Sequence, residues 1–215
     1  MHPVEPTAAI GLRWLAAGLV VSGLSALLRG PIADHVTSAF LIHLGALTAM
    51  SVVMAAHLGP HADRTWFSRI TSPSISSFSS AAAVTIAVTG VTGLVTLASS
   101  AALAYAPSGQ FLQLLSALDI AWVVAAFSIG MRWLFGPRLG IGAGLMMGVV
   151  CVWSIWRYID RVGLGDDGGW IVSGDALLRY VIPFDVMAAV LAVGAVALGS
   201  RRRQPTAHPS DQSYP

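Results

Sequence analysis

The chain has 215 residues, of which 55% are hydrophobic and 10% charged, with a formal net charge of +2. A soluble domain carries about 25% charged residues, and the mean hydropathy here is +0.73. Composition therefore excludes a water-soluble globule and predicts an all-α, polytopic membrane protein, a six-transmembrane-helix bundle. All twelve basic residues are arginine, so a retinal Schiff base is excluded, and in a membrane protein such charges report topology before nucleic-acid binding.

Six apolar runs follow one another. The first covers about 8–28; Glu5 and two prolines precede its first arginine, so it reads as a retained helix rather than a signal peptide. The second, about 37–59 within TSAFLIHLGALTAMSVVMAAHLGPH, is expected to stop at Gly59-Pro60. Residues 61–78 are polar, with Trp66, Phe67 and Ile70 spaced like a short interfacial helix. The third run, about 79–104, carries Thr85, Thr89 and Gly93 as a small-residue packing face. A Pro107-Ser108-Gly109 turn leads to the fourth, about 111–135, which contains Asp119. After Gly136-Pro137-Arg138 comes the fifth, about 139–156, with Gly140, Gly144 and Gly148 on one face. An outer loop with Asp160, Asp166 and Asp167 precedes the sixth, about 176–198, which holds Pro183 and Asp185. Residues 1–203 thus form the membrane domain, and 204–215 are expected to be a disordered tail.

Six crossings put both termini on one side, together with Arg13, Arg64, Arg69, Arg132, Arg138 and Arg201 to Arg203. The opposite side receives Arg29, Arg157, Arg161 and Arg179 and most of the aspartates. The positive-inside rule then places both termini in the cytoplasm, in a plasma (inner) membrane.

The second run carries the chemistry. At roughly 100° per residue, Met50 and Met54 flank His43 and His57 lies about 40° away, so all four share one face. Thioether and imidazole suit copper(I), and a relay needs several weak sites. His61 and Asp63 extend the set at the cytoplasmic mouth, and Met146, Met147, Cys151 and Met187 are further soft donors. Packing is the bland account of the methionines. Haem b is the competing ligand: His43 and His57 are fourteen residues apart on one helix, but their partners would have to come from a homodimer, another subunit or methionine. Asp119 and Asp185 lie at a depth similar to His43, and intramembrane carboxylates ask for a named partner; the His43 level is the one expected. No phosphate loop, CxxC, HExxH or GxSxG is present, so nothing marks an enzyme.

LIHLGALTAM, ISSFSSAAAVTIAVTGVTGLV and SGQFLQLLSALDIAWVVAAF stand in the order of an early-His helix, a Phe-Ser helix entry and a third helix after a polar turn. Over residues 37–135 the chain resembles the copper-resistance D (CopD-like) membrane domain. The resemblance implies copper handling at the inner membrane, with His43 the position carried over. The reading is a copper-binding or copper-translocating membrane protein using His43, Met50, Met54, His57 and His61, with Asp119 and Asp185 as polar partners. Two alternatives stand beside it: a b-type haem subunit of an electron-transfer complex, and an accessory subunit that stabilises a larger membrane assembly. Partners in each case are the bilayer and a second copy or other membrane subunits.

Overall fold

The computed structural model describes residues 36–62, 73–102, 107–162 and 177–202, and Arg13, Ala16 and Val20 as single helical positions. These residues are all helical apart from Gly136, with no strand among them. The helices are α1 (Val36–Ala62), α2 (Pro73–Ala102), α3 (Pro107–Phe135), α4 (Pro137–Val162) and α5 (Ile182–Arg202), the last preceded by a π turn at Leu177–Val181. All five are long and apolar enough to cross a membrane, and they match the second to sixth apolar runs. In hydrocarbon every backbone N–H and C=O must be satisfied within the segment, which is why apolar runs of this length become helices. The body of the first run, the stretch 63–72 with Trp66, Phe67 and Ile70, the acids Asp63, Asp166 and Asp167, and the tail 204–215 lie outside the described residues.

Proline sets where helices begin. Pro73, Pro107 and Pro137 are the first residues of α2, α3 and α4. There a missing N–H costs nothing, because the first helical N–H groups have no intrahelical acceptor. The residues Pro107, Ser108 and Gly109, expected as a turn, therefore form the first turn of α3. Gly136 alone separates α3 from α4; its φ of 96° is open to glycine at little cost. Its N–H bonds the Arg132 carbonyl at 2.8 Å, closing α3 with a left-handed cap, while its own carbonyl accepts from Gly140 at 3.0 Å.

Pro60 is the exception, since α1 continues through Gly59-Pro60 to Ala62. A proline at 60 leaves the Ala56 carbonyl without its i+4 donor. Arg132 of α3 supplies one, its Nη1 lying 3.2 Å from that oxygen. The expected stop fails because a neighbouring helix replaces the lost bond. Pro183 is handled differently: the chain widens into the π turn just before it, a geometry that reaches one residue further for its donor.

α3 is the axis of the bundle and touches all four other helices. α1 packs on α2, α3 and α4, whereas α5 leans mainly on α3. Small residues let backbones approach. On α4, Gly140 faces Arg132 and Ser128, Gly144 faces Ser128 and Val52, and Gly148 faces Thr48 and Val124. Ser128 Oγ donates to the Gly140 carbonyl at 2.9 Å across this seam. Gly93 of α2 meets Leu118 and Leu114, and Gly130 of α3 lies against the Ala195 backbone of α5. Of the third run's expected packing face, Gly93 makes the close contact; Thr89 bonds back to the Thr85 carbonyl.

Candidate functional site

His43, Met50 and Met54 lie along one face of α1, and all three are buried, His43 completely. The helical repeat explains the alignment: steps of seven and four residues return within about 20° of the same direction. By His57 the drift is about 40° from His43, and this side chain is exposed. The structure thus gathers three members of the predicted stripe and leaves the fourth at the surface. His61 falls on the last turn of α1. Met147 and Cys151 are buried, whereas Met146 and Met187 point outward, 67% and 47% exposed. Among the described residues no three His, Cys, Asp or Glu side chains converge on one point.

The bonds around His43 locate its proton. Its Nε2 is 2.9 Å from Ser99 Oγ of α2, and that hydroxyl also lies 3.1 Å from the Thr96 carbonyl. A carbonyl only accepts, so the single serine proton goes to Thr96. Ser99 must then accept from His43, which places the imidazole proton on Nε2 and leaves Nδ1 as a bare lone pair. Nδ1 is buried and has no hydrogen-bond partner. Such an unsatisfied group costs about 1–3 kcal/mol, and native structures retain few of them.

Below Ser99 a ladder of hydroxyls joins α1 to α2. Ser51 and Thr92 meet at 3.0 Å, and Thr48, Ser51 and Thr96 each donate to the carbonyl four residues earlier. These groups are satisfied locally, as buried hydroxyls in hydrocarbon must be. Sequence reading missed Ser99, Thr92 and Ser51 because serine and threonine are common in membrane helices and their pairing is a tertiary event. It also missed Gln113 of α3, which is fully buried with both amide atoms lacking partners.

A second polar centre lies between α3 and α5. The Asp119 carboxylate accepts from Trp122 Nε1 at 2.9 Å. Asp119 and Asp185 also hydrogen-bond side chain to side chain. A bond between two carboxyl groups needs a proton on at least one of them, since an ionised carboxylate only accepts. Cys151 of α4 is buried within electrostatic reach of both. The expected partnership with His43 is not what forms: the aspartates pair with each other, and His43 pairs with Ser99.

No family model matches the chain, and no curated protein or solved structure matches it.

Proposed function

We propose that this multi-pass membrane protein handles a soft metal ion, copper(I), along the buried face of α1. The observation that carries the reading is the unpartnered Nδ1 of His43, a bare imidazole lone pair inside the bundle, aligned with the thioethers of Met50 and Met54. Imidazole and thioether are ligands that copper(I) accepts in low coordination number. Met50 and Met54 are ~6 Å apart along the helix axis and His43 is ~10 Å from Met50. This spacing fits successive weak stations better than one closed site, and weak stations let an ion leave as well as enter. Asp119 and Asp185 put paired carboxyl groups on α3 and α5, a second polar centre inside the bundle. The resemblance of residues 37–135 to copper-resistance D domains agrees. On this reading both termini are cytoplasmic and the His43 end faces outward.

The test is elemental analysis, with oxidised and dithionite-reduced absorption spectra, on the detergent-purified full chain, followed by copper(I) competition titration. The expected result is a colourless protein that binds copper(I), with affinity lowered at least about tenfold in His43→Ala and in the Met50→Leu/Met54→Leu double variant. A reduced b-type band lost with His43→Ala would replace copper by haem. Neither copper nor haem in a folded protein would overturn both and leave the accessory-subunit reading.

A further inference from the structure

A cleft of about 490 Å³ opens between α1 and α4, with Gly45 and Ala49 on one wall and Val149, Val152, Trp153 and Trp156 on the other. It owes nothing to the metal reading, since the His43 face points at α2. Apart from the two indoles at its rim, Thr48 is the only wall residue with a polar side chain, and its hydroxyl is committed to the Leu44 carbonyl at 2.8 Å. Nothing along the slot asks for a hydrogen bond, so its lining suits hydrocarbon. The α4 wall from Leu145 to Trp156 runs for ~16 Å, long enough for the body of an extended acyl chain to lie along it.

One end of the cleft is not apolar. Arg157 follows Trp156 and lies over the Trp153 ring, its guanidinium carbon 5.7 Å from the ring centroid. Among the described residues its contact is this ring and not a carboxylate. Arg161 is exposed one turn on, and Asp160 between them offsets only one of the two charges. Tryptophan and arginine at a span end mark the headgroup level, and guanidinium is suited to phosphate oxygens.

We propose that the α1–α4 cleft is a binding site for one anionic phospholipid, an acyl chain lying along Gly45, Ala49, Val149 and Val152 and its phosphate held by Arg157 at the Trp153–Trp156 rim. Positive charge at the mouth of a hydrocarbon slot selects headgroup and chain together.

Gly45 gives a probe, because a Cβ placed there has no atom within 4 Å and the longer side chain of Gly45→Leu would extend into the slot that Gly45 lines. The delipidated full chain is titrated in detergent with phosphatidylglycerol or with phosphatidylcholine of the same acyl chains, and bound lipid is counted by native mass spectrometry. The wild type is expected to retain one phosphatidylglycerol over phosphatidylcholine. Arg157→Gln is expected to lower phosphatidylglycerol binding about fivefold, the weight of one basic residue at an anionic surface, while Arg157→Lys keeps most of it. Gly45→Leu is expected to lower binding of both lipids at an unchanged unfolding temperature. Equal retention of the two lipids by the wild type, or full retention by Gly45→Leu, overturns the proposal. A dimer that Gly45→Leu dissolves also overturns it, by assigning the cleft to a second copy.

Discussion

Ser99 fixes the chemistry of His43 by accepting a hydrogen bond from its Nε2–H, and so decides that any ligand must meet Nδ1. Removing the hydroxyl orphans Nε2 as well. Ser99→Ala is therefore expected to destabilise the detergent-solubilised protein by about 1–3 kcal/mol, measured as a shift in its denaturation midpoint, with Ser99→Thr recovering most of the loss. The aspartate pair makes a contrasting case. In Asp185→Asn an amide donor replaces the shared proton and the bond to Asp119 persists, whereas Asp185→Leu leaves Asp119 with Trp122 alone. A double-mutant cycle between 119 and 185 is expected to show a coupling of about 0.6 kcal/mol, the average for polar contacts between membrane helices, and no more than about 1.7 kcal/mol. Zero coupling would mean that the two carboxyls act independently. Glycines divide in the same way: Gly130 lies against backbone of α5 and Gly45 against nothing. Gly130→Val is expected to unseat α5, while Gly45→Ala gains up to about 1 kcal/mol from helix propensity alone.

Proline placement governs the elements. At helix starts it removes an N–H that has no partner in any case, but at position 60 it strands the Ala56 carbonyl, which Arg132 then answers. The two residues should therefore be energetically linked. Arg132→Gln is expected to cost about 1–2 kcal/mol in the wild type and little in a Pro60→Ala background, where the new backbone N–H provides the donor; equal costs in the two backgrounds would refute the link. Arginine does the same at the end of α3, where Arg202 of α5 donates to the Leu134 carbonyl, one of the last-turn acceptors that lack an intrahelical donor. The bond from Arg132 explains why α1 runs past its expected end: the extra turn is held by a partner that the local sequence does not name.

At the scale of the molecule the property to test is sidedness. Arginines crowd the ends shared by Arg132, Arg138, Arg201 and Arg202, and aspartates the other. Reporter fusions give a sharp test: an alkaline phosphatase joined after Arg202 is expected to be inactive and one joined after Arg161 active, the reverse pattern inverting the topology. Composition and run length alone determined that the five described spans are helical and apolar enough for a bilayer, because those properties follow from backbone hydrogen bonding in hydrocarbon and need no neighbour. The spacing of His43, Met50 and Met54 was legible for the same reason, being a property of one helix. Which face of each helix points inward was not, since lipid and core are equally apolar and hydrophobic periodicity loses its meaning. Only tertiary structure decided that α3 is the axis, that Asp119 meets Asp185, that Ser99 meets His43 while His57 faces outward, and that Arg132 rescues a proline on another helix. Each of these is a contact between residues remote in sequence, fixed by close packing at small residues and by the need to satisfy every buried polar group.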